Sequence, residues 1–267
     1  MKFAWKKAGG LALLGLIAGF AAQGQTTATS PAKPATTSAA TSAATPTADQ
    51  VLDHYVNAIG GRAAWMKLHS RVSKGTIEIP KMNNLTGTVE IHEKTPDSLL
   101  AVIILGGATF EQGFDGTTAW SQDPENGLRV LTGAELDDAK READFYHPLD
   151  LRKIYSKMTV TGTEKVGDRN AYVVEATPAQ GEPDKMYFDT QNWLLVRSIN
   201  RRHTLDGTAT FQAEVEDYKD VDGVKLPFTV HQTGAESSFT IKFTEIRHNV
   251  ELADSQFAKP VAEPAAK

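Results

Sequence analysis

Three runs share one pattern: Phe211-Gln212-Ala213-Glu214-Val215-Glu216, then Val224-Lys225-Leu226-Pro227-Phe228-Thr229-Val230-His231, then Phe239-Thr240-Ile241-Lys242-Phe243-Thr244. Apolar and polar residues alternate in each, and a period of two gives a strand one buried face and one wet face. Asp222-Gly223 separates the first two runs and supplies the positive φ angles that a two-residue hairpin turn requires. Similar turn chemistry occurs at Gly167-Asp168-Arg169-Asn170, Thr190-Gln191-Asn192 and Asp206-Gly207. The spacing predicts a long antiparallel meander from Met158 to His248 in which consecutive strands are neighbours.

The pattern extends upstream. Gly75 to Pro80 is expected to pair with Thr86 to Lys94 across the polar Lys81 to Asn84 turn, aligning Ile77 and Ile79 with Val89 and Ile91. Leu99 to Leu105 is apolar at consecutive positions, which predicts a strand covered on both faces. Phe110, Gln112 and Phe114 lead to an Asp115-Gly116 turn, Thr118 to Ser121 returns with Trp120, and Asp123 to Gly127 reads as a loop. Thr47-Ala48-Asp49-Gln50 matches a capping box and opens an amphipathic helix. Val51, Leu52, Tyr55, Val56 and Ile59 fall on its apolar face, and Gly60-Gly61 stops it. A short helix over Arg62 to Leu68 turns Trp65 and Leu68 inward. Thr132-Gly133-Ala134-Glu135 is a second capping-box match, opening a helix over Glu135 to Asp144. Leu136, Ala139 and Ala143 dock that helix lightly as a cover, with Asp137, Asp138, Lys140, Arg141 and Glu142 left in water.

The ends bound the cellular setting. Lys2, Lys6 and Lys7, the apolar run Leu11 to Ala22 and the small residues of Ala22-Gln23-Gly24 have the order of a secretory signal over residues 1–24. That reading makes the protein exported, periplasmic or secreted, with no permanent membrane span after cleavage; an uncut signal acting as a tether is the rival. Residues 25–46 are a Thr/Ala/Pro-rich arm without the apolar bulk to fold, residues 47–260 form one domain, and residues 261–267 are a tail. The three lysines are the only charged residues before Gln25, so losing the leader takes the net charge from -5 to -8. An acidic surface disfavours nucleic acid. Arg201-Arg202 reads as a solvated strand end. The chain has no cysteine, which excludes disulfides, thiol nucleophiles, haem attachment through cysteine and lipid on an N-terminal cysteine.

Catalytic and metal signatures do not emerge. None of the seven histidines forms a His-Glu-x-x-His helix or a close ligand pair; His231 and His248 fall on polar strand faces and His147 precedes Pro148 at a junction. There is no Gly-x-Ser-x-Gly elbow and no Gly-rich phosphate loop, and Asp115, Asp189 and Asp222 sit in turn sequences. The reading is of no enzyme, no cofactor and no metal. What remains is an aromatic set: Trp65, Phe110, Phe114, Trp120, Tyr187, Trp193, Phe211, Phe228 and Phe239 are the candidate lining of a site for an apolar ligand, with plain core packing as the competing role of each.

Four local stretches carry a resemblance. They are Tyr55-Val56-Asn57-Ala58-Ile59-Gly60-Gly61, Phe114-Asp115-Gly116 with Ala119-Trp120, Tyr187-Phe188-Asp189 before Trp193-Leu194-Leu195, and Tyr218-Lys219-Asp220-Val221-Asp222-Gly223-Val224-Lys225-Leu226-Pro227. In this order, from Thr47 to Pro260, the chain resembles the outer-membrane lipoprotein-sorting proteins, the LolA/LolB-like group that also includes envelope sensors. The resemblance implies a mainly β (α+β) fold: a curved antiparallel meander forming an unclosed barrel around an N-terminal helix and a helical cover. It also implies a concave face able to hold acyl chains. The expected function is non-enzymatic binding of a lipid, a lipoprotein acyl chain or another apolar ligand. The alternative is a sensor or interaction module of the same fold that engages an envelope protein partner.

Overall fold

The structure is a computed structural model that describes residues 45–178, 183–205, 207–234 and 238–261. The expected signal, nearly all of the arm, and the tail beyond residue 261 lie outside the described residues. The first helix, α1 (Ala48–Ala58), starts as its sequence requires: the Thr47 side chain accepts from the Gln50 N–H at 3.2 Å, while the Gln50 side chain accepts from the Thr47 N–H at 2.9 Å. Thr47→Ala removes one of these bonds and is expected to lower stability by about 1 kcal/mol in chemical denaturation. Val51, Leu52 and Tyr55 are buried, and the chain leaves the helix through Gly60 at φ 111° and Gly61 at φ 77°. A Cβ on Gly60 would lie 2.3 Å from the Gly223 carbonyl oxygen, so glycine also permits the close approach of the Asp222-Gly223 hairpin.

After α2 (Arg62–Trp65) come β1 (Ser70–Ile79), β2 (Leu85–Lys94), β3 (Ser98–Leu105), β4 (Ala108–Asp115), β5 (Ala119–Asp123) and β6 (Gly127–Val130). The chain then crosses through α3 (Gly133–Ala143), a 3-10 turn at His147–Leu149 and α4 (Leu151–Ile154). It returns through β7 (Tyr155–Val166), β8 (Arg169–Pro178), β9 (Asp184–Asp189), β10 (Leu195–Thr204), β11 (Gly207–Val221), β12 (Val224–Thr233) and β13 (Ser238–His248). Among the described residues thirteen strands form one antiparallel sheet in the order β6-β5-β4-β3-β2-β1-β13-β12-β11-β10-β9-β8-β7. Each half is a meander, as the turn chemistry predicts. The two halves join where β1 pairs with β13, and β6 and β7 remain as open edges: an unclosed half-barrel.

Three local expectations are corrected. Ile77 and Ile79 lie opposite Gly87 and Leu85, not Val89 and Ile91, because the turn takes only residues 80–84 and β2 begins at Leu85. The slip is even in number, so all four residues keep the inner face. The run Leu99 to Leu105 is fully buried on its inner face, through Leu99, Ala101, Ile103 and Leu105, and covered only in part on the outer one, where Leu100 packs under the C-terminal segment and Ile104 is 48% exposed. The segment expected to be a loop from Asp123 to Gly127 is a hairpin that adds β6.

The main apolar cluster joins α1, α3 and the inner faces of both halves of the sheet. Two smaller clusters lie on the outer face. One packs Val72 and Leu100 against Leu252 and Phe257 of the C-terminal segment. Trp120 is fixed nearby, its indole N–H donating to the Phe257 carbonyl at 2.9 Å, and Gly113 lies so close to the indole that a Cβ would come within 2.5 Å of it. The other cluster contains Val166, Ala171, Val173, Tyr187 and Val196.

Candidate ligand site

Arg71 and Glu93 stand directly opposite each other across β1 and β2, on the face that otherwise carries Ile77, Ile79 and Val89. Both are buried, and the guanidinium donates to both carboxylate oxygens at 2.5 Å. The Arg71 Cζ lies 5.9 Å from the Trp65 ring centre and 5.6 Å from that of Phe145. Aromatic faces therefore flank the cation. Beside this pair is a cavity of about 90 Å³. Its walls are mainly apolar, with Ile91, Leu99, Leu226, Val230 and Phe243 from the sheet and Phe145 and Pro148 from the crossing segment. A second cavity of about 40 Å³ touches the same Arg71, Pro148, Leu226 and Pro227 and extends toward Tyr55, Trp65 and Tyr218.

The crossing segment is held by specific contacts. The Phe145 N–H donates to the Pro96 carbonyl at 3.1 Å, and the Tyr146 hydroxyl donates to the Leu68 carbonyl at 2.9 Å. His147 is 4% exposed, and its ring has the Arg141 backbone as a hydrogen-bond neighbour, in poor geometry. Burial, with the Arg202 and Arg141 cations nearby, pushes its pKa down to about 3, so the imidazole is neutral. Asp144, which also lines the larger cavity, is held above its ordinary pKa by burial. Further along, Arg152 of α4 reaches Asp49 at 2.7 Å and Asp53 at 2.8 Å, tying the crossing segment to α1 across an exposed surface.

The expected wet face of α3 holds for Asp137 and Lys140, which are exposed, and fails for Asp138 and Glu142, whose side chains are buried. Thr132 makes no side-chain cap bond, because Glu135 turns to Arg129 instead, at 2.5 Å. Asp138 is buried, paired with Arg141 and accepting from the His203 backbone N–H at 2.9 Å. Glu142 meets the Nε of Arg202 at 2.6 Å, each side chain only 5% exposed. Arg202 is therefore an interior residue and not a solvated strand end. Tyr155 donates to Asp184 at 2.6 Å in the same region. Burial raises Glu142 to about 8 even with Arg202 beside it, and raises Asp184 to about 7. His248 also departs from expectation: its side chain is 1% exposed and pairs with Asp222 at 3.0 Å.

The nine aromatic residues scatter. Trp65 lines the smaller cavity, its indole N–H donating to the Ile59 carbonyl at 3.1 Å. Phe110, Phe114 and Phe239 are buried in the main cluster, and Phe211 is half-buried on β11. Trp193 packs beside α1, stacked on His54 at 4.2 Å and on Tyr172 at 5.4 Å. Phe228 lies under the Lys219 ammonium, 4.3 Å from the ring centre. Trp120 and Tyr187 belong to the outer face. The polar residues that sequence reasoning missed, Arg71, Glu93, Glu142, His147 and Arg202, carry the chemistry of the interior.

Among the described residues no three His, Asp or Glu side chains are placed to share a metal ion, and no helix is long and apolar enough to cross a membrane. No family model matches the sequence, and no curated protein matches it. Solved structures do match. A DUF1329 family protein from Desulfovibrio piger is 14% identical with a TM-score of 0.52, covering 79% of this chain and 96% of its own. A protein described as an outer membrane lipoprotein-sorting protein domain, from Vibrio parahaemolyticus, is 12% identical at 0.52, over 79% and 95% of the two chains. A LolA superfamily protein from Nitrosomonas europaea is 13% identical at 0.51, over 80% and 99%. With an unclosed thirteen-stranded sheet curved around α1 and α3, this chain has the fold of the LolA-like lipoprotein-sorting proteins.

Proposed function

We propose that this protein is a non-enzymatic envelope protein that binds an acyl chain or similar apolar ligand on the inner face of its sheet. The observation that carries the reading is the apolar cavity between that face and the crossing segment, set in a fold shared with a lipoprotein-sorting domain. Desolvation of alkyl surface drives binding, at about 0.8 kcal/mol per methylene removed from water. Sites that enclose a drug-sized ligand measure roughly 300–1,000 Å³. The cavity of about 90 Å³ is well below that range. A full acyl chain therefore enters by displacing the crossing segment from the sheet, and the two cavities mark where its first methylenes lodge. Of the nine aromatic candidates, Trp65 stands nearest this path; Tyr187 and Trp120, on the outer face, do not meet the ligand. The export reading of residues 1–24 agrees with an envelope location.

Native mass spectrometry of the purified full chain tests the proposal, together with uptake of a fluorescent fatty-acyl probe. The expected result is added lipid mass, or saturable probe uptake at one site. A protein that carries no lipid and takes up no probe overturns the binding role, and the sensor or interaction module of the same fold becomes the better reading.

A further inference from the structure

The two cavities are neighbours with a shared wall. Among the described residues, Arg71, Pro148, Leu226 and Pro227 line both the space of about 90 Å³ and the space of about 40 Å³. Together the two approach the roughly 150 Å³ at which an apolar protein cavity takes up a benzene-sized molecule, a size that neither reaches alone. The larger space runs along the sheet past Ile91, Leu99 and Phe243, and the smaller one ends against Tyr55, Trp65 and Tyr218. The Trp65 N–H is already given to the Ile59 carbonyl and the Tyr218 hydroxyl to the Leu195 carbonyl, at 3.1 and 2.9 Å. With those polar atoms engaged, the rings suit an alkyl tail. Three of the four shared residues are fixed in place. Glu93 holds the Arg71 guanidinium at both carboxylate oxygens, and Pro148 and Pro227 are rigid rings. Leu226, buried on the inner face of β12 with Val224 and Val230, is the one whose side chain turns by changing rotamer. Pro148 belongs to the crossing segment and leaves with it when that segment is displaced. Leu226 stays with the sheet and remains the constriction.

We infer that the two cavities are two stretches of one alkyl path, and that Leu226 at their junction sets the length of chain the protein accepts. A short chain fills the larger space and stops at Leu226. A longer one turns Leu226 aside, enters the smaller space and brings its far methylenes against Trp65. Once both spaces are full, further methylenes stay in water and add nothing to binding. The inference rests on the acyl-binding reading above and adds the residue that selects among chains.

Competition of 1-alkanols of eight to sixteen carbons against the fluorescent acyl probe, on the full chain, tests it. Each methylene that leaves water tightens binding about fourfold, so affinity climbs with length and levels off where the path is full. Leu226→Ala is expected to move that break to chains longer by about two or three carbons, in proportion to the side-chain carbons removed. Leu226→Met conserves volume and keeps the break where it is in the unmutated chain. A readout on the unmutated protein covers an alanine variant that fails to fold: an alkanol near the break length with bromine on its far carbon quenches Trp65 fluorescence at saturation, and that quenched component is missing from Trp65→Phe. An unchanged break in folded Leu226→Ala, or a terminal bromine that leaves Trp65 fluorescence untouched at every length, overturns the inference and leaves apolar binding standing. Alkanols that fail to compete with a bound probe overturn it too. If the probe itself does not bind, the acyl-binding reading falls first and takes this inference with it.

Discussion

Replacing Arg202 with leucine is expected to destabilise the protein by about 3–5 kcal/mol at about pH 9 and by much less at about pH 5. The large value reflects what remains behind. Glu142 lies at the inner face of α3, 5% exposed, with Arg202 as its charge partner at 2.6 Å. Without the guanidinium an ionised Glu142 loses the stronger of the two arginines that favour its charge, Arg202 over Arg141, and stays buried beside Asp138. Breaking such a pair costs several times what an exposed pair contributes.

The pH dependence follows from the direction of the shift. Burial raises Glu142 from 4.5 in the unfolded chain to about 8 in the folded one. Its contribution to stability is fully present below 4.5 and is lost as pH rises through 8. At about pH 5 Glu142 is protonated in the native state, needs little from Arg202, and the leucine variant loses mainly side-chain contacts. Asp184, raised to about 7, adds a loss of the same sign, while His147, lowered to about 3, acts oppositely and removes stability as pH falls below 6.5. Glu142→Gln should therefore flatten the decline between about pH 5 and pH 9. Urea denaturation of the three proteins at both pH values decides the matter; equal destabilisation by the leucine variant at both would show that the pair is not what holds α3 to the sheet.

The interior charges escape a reading of the sequence for reasons that differ residue by residue. The strands and their order are legible because apolar alternation and Asp-Gly turns act locally. Asp222 and Gly223 do adopt the positive φ of 55° and 83° that their hairpin needs. Pairing of β1 with β13 brings together residues more than 150 positions apart, and no local pattern announces it. Arg202 is hidden by a bulge. The β9–β10 register shifts between Leu195 and Arg197, so Val196 and Arg197 both fall toward the outer face, and Ser198, Asn200 and Arg202 then turn inward. Counting by twos from Leu195 gives the wrong face. Glu142 and Asp138 lie four apart, next to the Ala139 and Ala143 stripe, and small alanines let the helix approach the sheet closely enough to bury them. Charged residues default to water because most of them are found there. Arg71 and Glu93 are within reach: strict alternation places Arg71 on the face of Ile77 and Glu93 on the face of Val89. Two opposite charges on one apolar face are a signature of a buried pair.

That pair is where the second large effect is expected. Arg71→Met should lower the unfolding free energy by about 3–5 kcal/mol near neutral pH, since methionine fills much of the arginine stem's volume but leaves Glu93 buried without its counterion. Lysine should not rescue it, because a single ammonium cannot reproduce two parallel bonds to one carboxylate or the planar contacts with Trp65 and Phe145. The paired change Arg71→Met with Glu93→Gln or Glu93→Leu should recover most of the loss, since replacing both members of a buried pair removes the desolvation cost together with the attraction. Binding separates structure from function in this series. Arg71 touches both cavities, so a refolded double variant that regains stability enlarges the continuous apolar space, and it should take up the fluorescent acyl probe at least as well as the unmutated chain. Recovery of stability with loss of uptake would mean instead that the guanidinium itself holds the ligand, a role its full engagement by Glu93 argues against.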